Sequence, residues 1–401
     1  MDIRGKLVDE AQDMLEHLAA ARIRQAPGVM TMPADMYTDP ELFQQERVNL
    51  FRRVPLMLAA SCEIPAPGDY KAMTVAGVPV LLVRGKDGTV RAFLNSCRHR
   101  GVPLTKDHCG HAARFTCPYH AWTYGLDGAL RGVAARQEYG DIAFADNGLL
   151  AFPAEERAGL VWVILDTQAV ADFDVFLGEF GSLLAGFDFG SWHYFDRRVL
   201  PGANWKLAFD AHLDFYHLPV LHRNTFGPTI GNLAQYYYYG PHQRLGLVSK
   251  EEHKLEQDDI AGLAGTPCET WPLNTLLFGE WIVFPNVSIN CFYKGGRGVI
   301  ISQIFPGERV GESVTIQTFL HEKPPEGAQH AEAAAMAQFL THVVGEEDLP
   351  LSMDQQRSFE SGLVPYVQFG RNEGGLQHFH YWLNRFVSAP AGVSTAALLA
   401  D

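Results

Sequence analysis

Near the start of the chain, apolar residues recur at helical spacing: Leu7, Ala11, Leu15 and Leu18 share one face of a segment that predicts a helix over Leu7 to Ala21. Asp39 followed by Pro40 reads as the cap and first residue of a second, short helix. These elements fill residues 1–45, whose apolar stripe needs a larger body to pack on. From about 46 to 165 the texture changes to short β-rich runs broken by glycine. VPVLLVRGKDGTVRAFL reads as two strands joined by a Lys-Asp-Gly turn, and GLVWVIL as an apolar strand closing a small all-β module.

Residues 166–401 mix element types. An aromatic stretch, FDFGSWHYF, precedes a helical run predicted from Asn204 to His217. EWIVFPNVSINCFY, GVIISQIF and SVTIQTFL alternate as strands of an antiparallel sheet with one buried face. Helices are predicted over Ala328 to Val344, where alanine raises propensity, and over Leu376 to Phe386. The fold class read from this pattern is α+β.

Length and composition narrow the picture. A chain of 401 residues outgrows one ordinary core, and 47% hydrophobic with 19% charged residues describes a compact globular protein. The chain has no run of apolar residues long enough to span a bilayer, and its start mixes acids among bases where a secretion signal needs an unbroken apolar stretch. A soluble, cytoplasmic protein with no membrane partner is expected. The formal net charge of -14, without a basic stripe, argues against nucleic acid. Six cysteines are too sparse for a disulfide scaffold, which leaves metal binding or burial.

Four residues carry the first chemical signal. NSCRHRG brings Cys97 close to His99, and CPYHAW brings Cys117 close to His120. Each pair holds one sulfur and one nitrogen donor. A Rieske cluster takes two cysteines on one iron and two histidines on the other, so two facing loops of this kind satisfy it. Structural zinc is the rival reading, but its cysteines ordinarily stand two to four residues apart, and Cys-x-His is unusual there. Cys109, between the loops, is read as a loop residue.

NWKLAFDAHLDFYHLPVLH carries the second. His217 and His222 do not share a face of an unbroken helix, but Pro219 is expected to end or bend the helix between them and let His222 swing back. Asp214 and His217 are expected as neighbours on one helical face. Two imidazoles and a carboxylate on one face of an iron leave positions for O₂ and substrate. The carboxylate must come from elsewhere: GEEDLPLSMDQQR offers Asp348, Asp354, Glu347 and Glu346. Asp210 is read as a residue supporting the site or bonded to backbone or a tryptophan, and His212 as structural or as a residue supporting the site.

Together, CRHRG with CPYHAWTY, then NWKLAFDAHLDFYHLPVLH, then the acidic segment followed by Gln356, resemble the α-subunit family of Rieske ring-hydroxylating and demethylating oxygenases. The likeness runs from about Asp39 to Phe386, and MYTDPELFQQERVNLFRRVPLM resembles the branch holding choline, carnitine and glycine-betaine monooxygenases and many aromatic hydroxylases. The resemblance implies a Rieske domain at 46–165 inserted in a larger helix-grip catalytic domain at 166–401, on which residues 1–45 pack. It implies a 2Fe–2S cluster on Cys97, His99, Cys117 and His120, and a mononuclear Fe(II) on His217, His222 and Asp348. Asp214 takes the place of the family's bridging carboxylate, linking His120 of one subunit to His217 of the next in a homotrimer. A reductase or ferredoxin supplies electrons from NAD(P)H. Two positions depart from the family: Asp210-Ala211 where Glu-Asn is common, and Ala121 where glycine is frequent.

Tyr236 to Tyr239, Phe226, Leu276, Phe278, Trp281 and Phe284 are expected either to wall the substrate pocket or to fill the core. So much aromatic surface suits a small apolar or aromatic substrate, and equally a quaternary ammonium. An electron-transfer Rieske protein without oxygenase activity is the reading from another class.

Overall fold

The alternating segments from Glu280 to Leu320 build the middle of the central sheet. Among the described residues this sheet has seven antiparallel strands, ordered in space His193–Gly202, Ser313–His321, Gly298–Pro306, Val287–Phe292, Glu280–Val283, His242–Gly246 and Gln235–Tyr239. The structure is a computed structural model, and it describes residues 2–169, 172–228, 230, 232–233, 235–246, 260–390 and 392–400. Glu280, Asn290 and Ile300 form one row across the sheet, and Ile282, Ser288 and Ser302 the next. On that face Phe292, Ile300 and Phe319 pack against Ala337 and Leu340 of the long helix Ala328–Val343.

The alternation predicted one buried face, and the structure corrects this: every residue of Gly298–Pro306 is buried. The β-rich module stands behind the sheet, where Gln303 Nε2 donates to the Met57 carbonyl at 2.6 Å. In that module Val78–Arg84 pairs with Val90–Leu94 as read, with Gly88 taking the turn at φ +79°, and it pairs on its other side with Asp69–Val75. Leu160–Val163 pairs with Leu56–Ala60 and Ala154–Arg157 in a separate sheet.

Helix Ile3–Ala19 buries Leu7, Ala11 and Met14 completely, and its Glu10 meets Arg244 of the central sheet at 2.6 Å. Met30–Pro33 then pairs antiparallel with Tyr366–Phe369. The β-rich module is thus flanked in sequence by segments that both pack around the large sheet. Asp39 caps helix Pro40–Gln45, accepting from Glu41 N at 2.7 Å. Helix Gly374–Val387 presents Leu376, Phe379, Leu383 and Phe386 inward. Phe379 sets its ring edge-on to Trp205 and Phe209, which fastens the segment bearing the histidines. Each such large apolar side chain stabilises the fold by roughly 1.5–3 kcal/mol through burial.

Candidate active site

Two loops of the β-rich module have the same backbone closure. Gly101 N donates to the Cys97 carbonyl at 2.9 Å and Ala121 N to the Cys117 carbonyl at 3.0 Å. Each turn ends in left-handed backbone, φ +79° at Gly101 and +53° at Ala121, which accounts for the preference for glycine at the second position. The paired turns bury both cysteine sulfurs and set the His99 and His120 rings 4.7 Å apart. Trp122 stacks on His99 at 5.1 Å. Tyr124 accepts from Arg98 N at 3.0 Å and turns its hydroxyl towards Cys97 Sγ at 3.4 Å. Cys109 is exposed, in a strand paired with Asp69–Lys71, away from this group.

The helix predicted to His217 stops early, at Asp210. Asp214 Oδ1 accepts from the His217 backbone N–H at 3.1 Å and so competes with helical bonding. Asp214 and His217 therefore meet across a turn rather than along a helix. Pro219 does not end a helix either; it lies in the first turn of the single-turn helix Leu218–Leu221, where a missing N–H costs nothing. His217 and His222 flank that turn with ring centroids 5.0 Å apart.

The acid comes from a π turn, Val344–Asp348, inserted between helices Ala328–Val343 and Leu349–Glu360. Asp348 Oδ1 stands 3.2 Å from His222 Nε2 and 3.7 Å from His217 Nε2, and the three donor atoms lie within 4.8 Å of one another. On the far side of each ring, His217 Nδ1 donates to Asp214 Oδ1 at 3.1 Å and His222 Nδ1 to Glu347 Oε2 at 2.5 Å. Both imidazoles thus direct Nε2 at one point. Burial alone would push them down, but Asp214 and Asp348 outweigh it at His217, and Asp348 and Glu347 at His222, so both sit above the ordinary histidine range.

The other acids are sorted by position. Asp354 is exposed and paired with Arg357, and Glu346 is exposed. Among the described residues the Asp210 carboxylate bonds neither backbone nor tryptophan: it accepts from Tyr37 at 2.6 Å and from His380 Nε2 at 2.9 Å. Glu347 stood among the possible ligands, yet it lies behind His222 and also accepts from Thr225 Oγ1 at 3.0 Å.

A cavity of about 950 Å³ opens beside the three donors, with Phe226, Phe278, Phe292, Met336 and Phe339 among its walls. Of the wall residues proposed from sequence, only Phe226 and Phe278 line it; Leu276, Trp281, Phe284 and Tyr236 are core, and Tyr237 donates to Asp13 at 2.7 Å. The sequence reading missed Glu280 and Ser288, which also line it. Their signal was polar residues interrupting an apolar strand.

A family profile described as "Ring hydroxylating alpha subunit (catalytic domain)" matches residues 189–389, and one described as "Rieske [2Fe-2S] domain" matches residues 54–148. The chain belongs to the Rieske ring-hydroxylating alpha-subunit family. Within it, the chain is 27% identical to the 2-aminobenzenesulfonate 2,3-dioxygenase subunit alpha of Alcaligenes sp, over 88% of this chain and 90% of that protein. It is 35% identical to the glycine betaine monooxygenase oxygenase subunit of Chromohalobacter salexigens over 51% of this chain and 47% of the relative, so the match spans about half that relative's length. Two solved structures share the fold at 21% identity and TM-score 0.73. One is the apo quaternary ammonium Rieske monooxygenase CntA, covering 90% of this chain and 97% of its own, and the other naphthalene 1,2-dioxygenase from Rhodococcus sp. bound to indole, covering 96% and 99%. The two family domains imply a Rieske cluster and a mononuclear iron. The donor sets fit both: Cys97 and Cys117 are buried, the His99 and His120 rings lie 4.7 Å apart with His120 Nδ1 buried and unpartnered, and Asp348 Oδ1 is buried without a hydrogen bond of good geometry.

Proposed function

We propose that this chain is the terminal oxygenase component that activates O₂ at an iron held by His217, His222 and Asp348, with electrons from a 2Fe–2S cluster held by Cys97, His99, Cys117 and His120. The observation that carries the reading is the convergence of two Nε2 atoms and one carboxylate oxygen, within 4.8 Å of one another, on the wall of a cavity of about 950 Å³. An iron held by these three residues would supply the activation of dioxygen beside the substrate.

The chain's own residues do the rest. Asp214 and Glu347 hold the Nδ1 protons of His217 and His222, which fixes both tautomers and leaves each Nε2 lone pair free. The aromatic walls bind the apolar part of a small substrate and exclude water. Asp214 is the group we assign to pass the electron from His120 of one subunit to His217 of its neighbour in a homotrimer. That assignment draws on the family and on the half-exposed cluster histidines. A reductase or ferredoxin driven by NAD(P)H completes the scheme in the cytoplasm, and among the described residues no helix is long and apolar enough to cross a membrane. Hydroxylation and oxidative demethylation both suit the site; the relatives' names include a monooxygenase and a dioxygenase.

Asp348→Ala tests the reading against Asp354→Ala. The first variant is expected to keep inorganic sulfide and the visible cluster bands while losing the mononuclear iron and O₂ uptake; the second is expected to keep everything. Loss of the same iron in both variants, or in neither, refutes the assignment.

A further inference from the structure

The cavity holds a carboxylate that the oxygenase chemistry does not use. Glu280 begins a central strand of the sheet, lines the cavity and is 4% exposed. Its Oε1 accepts from Ser288 Oγ at 2.6 Å and lies 3.4 Å from His212 Nδ1. Both contacts address the same oxygen. No lysine or arginine among the described residues pairs with Glu280; of the two cations along the cavity, Arg297 gives Nη1 to Glu322 at 3.0 Å and Lys294 is exposed.

Both contacts are to Oε1, which leaves Oε2 as an acceptor for a charged or N–H-bearing partner in the cavity. Ser288 and His212 fix the carboxylate's orientation without exhausting its acceptors. Phe278 stacks on Tyr293 at 5.3 Å beside the same strand pair, giving a flat apolar surface next to the charge. His212 precedes Asp214 by two residues, so this polar corner belongs to the segment that carries the histidines.

We infer that Glu280, positioned by Ser288 and His212, is a specificity-determining residue: it forms a subsite for a protonated amine on the substrate, the substrate's apolar body lying along the aromatic wall. The inference rests on the oxygenase reading for the identity of the pocket. It narrows the substrate class to small amines carrying an apolar or aromatic portion.

The test is equilibrium binding to the iron-loaded protein of three probes of one shape: 2-phenylethylamine, 2-phenylethanol and 3-phenylpropanoate. Wild type is expected to bind the amine at least about tenfold more tightly than the alcohol, the factor of a charge-assisted hydrogen bond. Glu280→Gln is expected to erase that preference with iron and sulfide content unchanged, Glu280→Asp to keep part of it, and Asp354→Asn to keep all of it. Equal binding of amine and alcohol by wild type, tightest binding of the acid, or a preference that survives in Glu280→Gln overturns the subsite. Wild-type binding decides the matter even where a variant folds poorly. Missing sulfide or iron sinks the oxygenase reading instead, so the two failures are distinct.

Discussion

Glu347 Oε2 and His222 Nδ1 stand 2.5 Å apart, on the side of the ring opposite Asp348. Consecutive residues of one turn therefore grip both nitrogens of the same imidazole. The arrangement fixes the tautomer from behind and supplies the carboxylate donor in front, repeating what Asp214 does for His217.

Glu347→Gln follows directly. An amide in that place weakens the hold on Nδ1–H and lets the other tautomer compete, so affinity for the mononuclear iron should fall by about 10–100-fold. Titration of ferrous iron into the apo-protein measures it. An unchanged affinity would show that Glu347 is merely a neighbour.

Asp214→Asn addresses electron delivery. The amide oxygen can still accept from the His217 backbone N–H, so the turn should survive and both metals should remain. Turnover is expected to fall by roughly 100-fold or more, since the group proposed to link the two centres would no longer carry charge. Metal analysis beside O₂ uptake coupled to product separates this outcome from simple loss of iron.

Ala121 occupies left-handed backbone at φ +53°. For a residue with a Cβ that costs about 1–2 kcal/mol, partly offset in a glycine variant by a freer unfolded chain. Ala121→Gly should therefore stabilise the cluster loop by about 0.5–1 kcal/mol, read as a later thermal loss of cluster absorbance.

Part of the pH dependence of stability can be assigned to His242, which is fully buried, donates Nε2–H to the Phe176 carbonyl at 2.9 Å and accepts from Phe284 N at 3.2 Å. Burial lowers it to about 4. The unfolded chain takes up this proton below about pH 6.5 while the folded chain waits until about 4, so stability is whole above the first value and drains away as pH falls through the window. The loss is about 1.4 kcal/mol per pH unit. Melting temperatures from pH 7 to 4 should slope downward, and His242→Gln should make the slope shallower, with His321 and His378, which burial also lowers to about 4, supplying the rest.

The two cysteine–histidine pairs were readable because a cluster demands both donor types and both loops are short, local turns. The histidines were readable as a pair, but not the path between them. Nothing in helix propensity shows that the helix will stop at Asp210 or that Asp214 will take the His217 N–H in the turn beyond it. Asp348 could be ranked above Asp354 by resemblance alone, since both lie in an acidic, helix-forming stretch; what separates them is burial against His222, a tertiary fact. The sheet's second covered face was illegible for the same reason: Gln303 looks like a solvent-facing residue until Met57 is placed behind it.

The turn from Val344 to Asp348 interrupts what would otherwise be one rod running from Ala328 to Glu360. A wide turn holds one residue more than regular winding needs, and each residue of an α-helix advances the screw by about 100°. Deleting a single residue there would leave the composition of the stretch nearly intact, yet rotate the carboxylate out of the histidines' view. Segment length, more than acidity, sets where that oxygen points.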